Sequence, residues 1–193
     1  MNPTEKQREL MQIIDHVVET QAPHMSLILA PRKTGKTHAL IFEAIAYAMR
    51  HAATVQTFYC SSKFHHDFIA GEIAKHTEML AKKHNAGNEN TWFIFRNTSL
   101  ITIQLADDDL HNSACKVIYL DEFGYFDPIA IGHVRETMPD AHIIGVGTSV
   151  ISSNPIQLDN ILDKETYTVT KLWLSCQQCK DAGTEDACTH PGE

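Results

Sequence analysis

No stretch of the 193-residue sequence approaches the ~20 consecutive apolar residues that a membrane-spanning helix needs, so no membrane role is expected. The opening MNPTEKQREL is polar and lacks the apolar segment of a secretion signal, which predicts an intracellular protein. Basic charge is short as well: 16 Lys and Arg stand against 24 Asp and Glu, a formal charge of -8. Nucleic-acid binding draws on clustered Lys and Arg, so any such role has to come through assembly or a further part rather than from net charge. Five cysteines, an odd number with three of them in the last 18 residues, do not make a disulfide framework; their crowding points to a metal. Glycine (9) and proline (7) are few, and with 43% hydrophobic and 21% charged residues the composition is that of a folded domain, not a disordered chain. The length allows one α/β domain with a substantial core and a small appendage, but not two full domains.

The rest of the chain is arranged around Ser26 to Thr37, SLILAPRKTGKT. Leu27, Ile28, Leu29 and Ala30 read as a short buried strand, and a polar turn leads into Gly35-Lys36-Thr37 at the head of a helix. This is a phosphate-binding loop. In such a loop backbone N–H groups and a helix N-terminus converge on phosphate oxygens, a lysine reaches the β/γ phosphates and a hydroxyl ligates Mg²⁺. Ala30 stands where the pattern G-x-x-x-x-G-K-[ST] has its first glycine, and Pro31 follows, so a less permissive residue enters the turn. The binding segment is Ala30, Pro31, Arg32, Lys33, Thr34, Gly35, Lys36 and Thr37, with ATP and Mg²⁺ as its expected ligands.

The second half of the signature lies in KVIYLDEFGYF. Val117 to Leu120 form an apolar strand that ends in Asp121-Glu122, at the end of a parallel sheet where ligands sit. Asp121 is placed to hold Mg²⁺, while Glu122, pointed differently, is placed to deprotonate the attacking water.

Elsewhere, helices are expected over 4–20, 37–50, 64–84, 128–138 and 155–163, and strands over 54–60, 92–95, 100–105, 141–147 and 167–174. The strand at 54–60 is expected as a parallel neighbour of the first, 85–90 as a loop, and 92–105 as a hairpin turning at 96–99. On the helix at 64–84, Phe64, Phe68, Ile69, Ile73 and Leu80 form the apolar face, and the histidines at 65, 66, 76 and 84 read as surface residues. Asp107 to Asp109 read as a solvated loop. Gln7 precedes the phosphate loop where many P-loop motors carry a glutamine that pairs with adenine; the alternative is a solvated side chain. Thr148 and Ser149 end a strand where a motor would sense the γ-phosphate; the alternative is an ordinary turn.

The tail, CQQCKDAGTEDACTHPGE, places Cys176 and Cys179 at C-x2-C spacing, followed by Cys188 and His190. Four such ligands suit tetrahedral, structural Zn²⁺, the alternatives being a redox pair or idle thiols. The expected domains are a P-loop ATPase over 1–175 and a zinc-binding tail over 176–193.

Taken together, APRKTGKT, LDEFGYF and IIGVGTS resemble the ATPase domain of a large terminase subunit, the motor that packages viral DNA, and most closely the herpesvirus kind. The resemblance covers about residues 25–190, and the family tolerates both the missing first glycine and an arginine inside the loop. It implies an α/β P-loop NTPase of the RecA-like, ASCE type with a mostly parallel sheet. By position it implies γ-phosphate contact by Arg32, phosphate and Mg²⁺ binding by Lys36 and Thr37, Mg²⁺ association by Asp121, base catalysis by Glu122, and coupling through Thr148 and Ser149. The tail has a similar layout, with Cys and His exchanged between the pairs. Implied partners are double-stranded DNA, other terminase subunits, and the portal and procapsid, around a ring homo-oligomer in the host nucleus, or in the cytoplasm for another virus type. The family's nuclease domain is not expected in this chain. A helicase-like ATPase and a non-catalytic, zinc-containing assembly module are the alternative functions.

Overall fold

The computed structural model describes residues 3–20, 25–30, 34–86, 90–105, 115–126, 134–148 and 167–171. Helix α1 (Glu5–Thr20) begins at a reciprocal cap, in which Gln7 N donates to Thr4 Oγ1 (3.2 Å) and Thr4 N donates to Gln7 Oε1 (2.7 Å). Its stripe of Leu10, Ile14, Val17 and Val18 is buried in the core shared with α2 (Lys36–Arg50). Helix α2 is rich in alanine, and its buried Ala39, Ala44 and Ala48 let it lie close to its neighbours. Gln56 fastens it to the sheet, donating to Ala44 O (3.0 Å) and accepting from Tyr119 Oη (2.8 Å). Helix α3 (Lys63–Thr77) is capped by Ser62 Oγ, which accepts from His65 N.

The strands are β1 (Met25–Ala30), β2 (Val55–Cys60), β3 (Ala81–Ala86), β4 (Asn90–Phe95), β5 (Leu100–Leu105), β6 (Cys115–Asp121), β7 (His142–Thr148) and β8 (Tyr167–Lys171). They form one sheet in the order β3-β4-β5-β2-β6-β7-β1-β8. Only the β3–β4 and β4–β5 pairs are antiparallel, the latter being the hairpin expected at 92–105. Helices cover one face, over Ile28, Phe58, Tyr119 and Val146. Leu27, Tyr59, Ile118, Leu120 and Ile143 face the opposite core. Burial on both sides is why these strands read as continuous apolar runs. Among the described residues no helix is long and apolar enough to cross a membrane.

Several sequence expectations are corrected. Strand β2 runs parallel to β1 but is not its neighbour, because β7 and β6 lie between them. A right-handed crossover fixes the direction of a strand, not its adjacency. The helix expected through residue 84 ends at Thr77, whose hydroxyl donates back to Ile73 O (2.7 Å). The chain beyond it pairs with β4 as an edge strand, so cross-strand hydrogen bonding overrides the helical pattern. That strand takes in Asn85 and Ala86, expected in a loop. Phe64 is 79% exposed rather than part of the apolar face, whereas His66 is 2% exposed rather than a surface residue. Of the helix expected over 128–138, the structure describes a helical turn at 134–137. Asp107 to Asp109 and the helix expected over 155–163 lie outside the described residues.

Candidate nucleotide site

Strands β1 and β6 both run parallel to β7, so Ala30 and Asp121 end on the same edge of the sheet. There Ala30, fully buried, pairs with the backbone of Thr148. Gly35 then opens α2 with φ 76° and ψ 28°, a left-handed conformation that favours glycine. A Cβ at Gly35 would also lie 2.5 Å from Gln7 Nε2. The amide of Gln7 therefore packs on the turn that enters α2, while its Oε1 caps α1.

Alternation along β6 puts Asp121 on the same face as Val117 and Tyr119, the face covered by α2. Thr37 Oγ1 donates to Asp121 Oδ2 at 2.8 Å, across 84 residues of sequence. Asp121 is buried, and its Oδ1 has no hydrogen-bond partner among the described residues. Burial pushes its carboxyl above the ordinary value; the Thr37 bond opposes this, Glu122 adds to it, and His65 and Lys36 pull it back. An unsatisfied buried carboxylate oxygen beside a hydroxyl is a donor set suited to a hard divalent cation, so Thr37 and Asp121 fit Mg²⁺.

Lys36 is 5% exposed, and its Nζ lies 3.8 Å from Glu122 Oε1. Glu122 has φ 51° and ψ 52°, a left-handed conformation that costs an L residue about 1–2 kcal/mol. The sharp turn separates consecutive carboxylates: Asp121 points into the α2 face, while Glu122 is 30% exposed and reaches the lysine. Phe123, wholly buried, locks this turn. Its ring packs where side chains are missing from β7, since a Cβ on Gly147 would lie 2.7 Å from Phe123 Cε1 and 3.0 Å from Cδ1.

The structure thus brings together Gln7, Ala30, Gly35, Lys36, Thr37, Asp121, Glu122 and the backbone of Thr148, with Thr34 buried beside them. Pro31, Arg32, Lys33, Ser149 and the tail residues Cys176, Cys179, Cys188 and His190 lie outside the described residues. Among the described residues no group of three or more His, Cys, Asp or Glu is arranged to hold a metal.

Sequence reasoning missed the Phe123 lock. Its signal is two glycines at period two, Gly145 and Gly147, on a strand otherwise bulky, together with an aromatic directly after Asp121-Glu122. It also missed the clamp between α1 and α2, where Arg50 pairs with Asp15 and, at 2.8 Å, with Glu43. Burial pushes the Glu43 carboxyl from 4.5 to about 7, outweighing the opposing hydrogen bond and charge of Arg50.

Neither a protein family nor a curated protein matches the sequence. The fold, however, is similar to solved structures. The large terminase of a thermophilic bacteriophage superposes with a TM-score of 0.62 at 10% identity, over 89% of this chain and 46% of that one. The Thermus phage P74-26 large terminase ATPase domain gives 0.51 at 12% identity, over 76% and 70%. The UvsW helicase from bacteriophage T4 gives 0.59 at 10%, over 89% and 61%. The chain spans about half the length of the first of these terminases, and the likeness does not single out the herpesvirus kind. With β7 set between the phosphate-loop strand β1 and the acidic strand β6, the fold is that of a P-loop NTPase of the RecA-like, ASCE type.

Proposed function

We propose that this chain is an ATP hydrolase, the motor domain of a viral large terminase that drives double-stranded DNA into a procapsid. The observation that carries the reading is the meeting of two distant sequence segments at one sheet edge, with Thr37 Oγ1 2.8 Å from Asp121 Oδ2 and Lys36 Nζ 3.8 Å from Glu122 Oε1. The start of α2 and Lys36 receive the phosphates. Mg²⁺, held by Thr37 and Asp121, would supply charge neutralisation there. Glu122 orients water and takes its proton. The position of Arg32 in the loop supports contact with the γ-phosphate, that of Gln7 supports adenine recognition, and that of Thr148-Ser149 supports coupling of hydrolysis to DNA movement. Likeness in fold to the thermophilic bacteriophage terminase, solved with ADP and with ATP-γ-S, supports nucleotide binding. The spelling of the motifs favours the herpesvirus kind, and the spacing of Cys176, Cys179, Cys188 and His190 favours a structural Zn²⁺.

The test is thermal stabilisation by Mg·ATP together with turnover. The wild type is expected to show a saturable shift that Lys36→Ala abolishes, and Glu122→Gln to bind ATP yet hydrolyse it poorly. Near-normal turnover by Glu122→Gln removes that residue from the mechanism. The likeness to the UvsW fold favours a helicase as the second reading; directional movement on intact duplex, without strand separation, decides against it.

A further inference from the structure

Strand β3 stands at one end of the sheet, paired only on its inner side with β4. The ladder decides which backbone groups face outward. Phe95 N donates to Ser99 O and Phe95 O accepts from Thr98 N, each at 3.0 Å, so the polar groups of Phe95 turn towards β5. Alternation along β4 then turns those of Ile94 and Trp92 towards β3, where Lys82 and His84 are their partners in register. The N–H and C=O groups of Ala81, Lys83 and Asn85 are left pointing away from the sheet, along an edge that no described strand covers.

A cleft of about 390 Å³ opens beside this edge, on the sheet face that carries Lys82. It is lined by Met79, Leu80, Lys82, Ile94 and Arg96, with Glu78 as its one carboxylate. Met79 is 79% exposed and Ile94 40%, so the cleft offers aliphatic surface to a partner's apolar side chain. Charge selects the rest of that partner. Of the described residues in 79–86 and 90–105 none is Asp or Glu, in a chain of formal charge -8. None of the ion pairs among the described residues uses Lys82, Lys83 or Arg96. Lys82 and Lys83 leave β3 on opposite faces, so an added strand meets a cation on either face.

We propose that the outer edge of β3 takes up an extended acidic segment of another protein as an added strand, with carboxylates beside Lys82 and Lys83 and an apolar residue in the cleft. In such sheet extension main-chain bonds supply affinity and alternate side chains supply specificity. A second copy of β3 would set lysines against lysines, and like charges across a strand pair repel. A phosphodiester only accepts hydrogen bonds and leaves the outward C=O groups unanswered. Five strands separate β3 from β1, so an occupant leaves the nucleotide site open, and the proposal is independent of the nucleotide reading.

The probe is the end-blocked, fluorescent peptide Leu-Thr-Glu-Glu-Thr-Glu, with its Lys-for-Glu counterpart as the control, and binding to the whole chain is read by anisotropy. Wild type is expected to prefer the acidic peptide. The double variant Lys82→Glu, Lys83→Glu should lose about tenfold in affinity for it and gain the lysine peptide, an exchange that misfolding does not produce. Asn85→Pro keeps every charge and deletes an outward N–H that β4 does not use; it should weaken binding about fivefold. All variants should keep the Mg·ATP shift. No binding of the acidic peptide by wild type, equal binding of the two peptides, an unchanged preference in the double variant, or full affinity in Asn85→Pro would overturn the proposal. So would displacement of the peptide by a short oligothymidylate, which assigns the edge to nucleic acid, and so would self-association of wild type that Asn85→Pro abolishes, which assigns it to a second copy.

Discussion

Gly147→Ala is a one-methyl perturbation whose consequence reaches Glu122, the carboxylate proposed as the base. The new Cβ would sit 2.7 Å from Phe123 Cε1 and 3.0 Å from Cδ1. Phe123 is wholly buried in the cluster that holds Leu27, Leu120 and Ile143, so the ring is surrounded by core side chains rather than solvent. Relief has to come from displacement of the Phe123 backbone, and Glu122 is the preceding residue. Overpacking of this sort costs about 1–3 kcal/mol, which in a domain of this size lowers the melting temperature by roughly 2–12 °C. Gly145→Ala is the built-in comparison. Its Cβ would meet Leu27 Cδ2 at 2.6 Å, the end of a flexible side chain, so the penalty there is expected to be smaller. The assay pairs thermal melting with ATP turnover and ATP binding. Gly147→Ala should melt lower and turn over slowly while still binding ATP, since Lys36 and Thr37 are untouched. Adding Phe123→Leu, which removes the obstructed ring edge, should restore part of the melting temperature relative to the single variant. Unchanged melting and turnover in Gly147→Ala would refute the lock, and so would a double variant that simply adds two losses.

Thr37→Ala removes the hydrogen bond that the Thr37 hydroxyl gives the Asp121 carboxylate. A loss of about 1–3 kcal/mol in stability is expected, with the Mg²⁺ dependence of ATP stabilisation disappearing; persistence of that dependence would remove Thr37 from the cation site. The pH profile tests the α1–α2 clamp. Because the Glu43 carboxyl is raised from 4.5 to about 7 in the fold, the folded state holds the proton more tightly, and the contribution is fully present below about pH 4.5 and lost as pH rises to about 7. At about 1.36 kcal/mol per pH unit the loss amounts to about 3 kcal/mol at most. Glu43→Gln should therefore gain on wild type across that window, and parallel stability curves from pH 4.5 to 7.5 would contradict the sign. Cys176→Ser should lower zinc content and melting temperature together, because structural zinc contributes directly to folding; an unchanged metal analysis would end the zinc proposal.

The candidate site was legible because the residues that mark it are close together in sequence. A short apolar strand, a turn and Gly-Lys-Thr match the pattern of a phosphate loop, and a second apolar strand ending in Asp-Glu matches that of its partner. What remained illegible depends on which surfaces meet. Nothing near Ala81 to Ala86 announces a strand, since Lys82, Lys83 and His84 suit a helix as well, and only pairing with β4 decides. The burial of His66 is likewise long-range, since it depends on the packing of α3 against β2 and β5. Strand order is another long-range result: 15 residues of α2 say that β2 is parallel to β1, but β6 and β7 are not yet made when that segment is read. The partner of Phe123 is hidden for the same reason, as the glycines that receive it lie more than 20 residues on.

The departure at Ala30 follows from where the backbone of this loop demands glycine. Ala30 is the last residue of β1, paired in register with Thr148 and fully buried. A strand residue there keeps negative φ, which alanine adopts without cost, and its methyl group adds to the buried sheet end. Gly35 is the only glycine with positive φ among the described residues. At that position both constraints coincide, because φ is 76° and the Gln7 amide fills the space a side chain would need. One glycine of the pattern is therefore dispensable here and the other is not. The same logic separates the loop's two tasks: β1 fixes where the turn begins, through pairing that any small residue satisfies, while Gly35 fixes the direction in which Lys36 and Thr37 leave it. The lysine and hydroxyl reach Glu122 and Asp121 because of the second task, so loss of the first glycine leaves these two contacts in place.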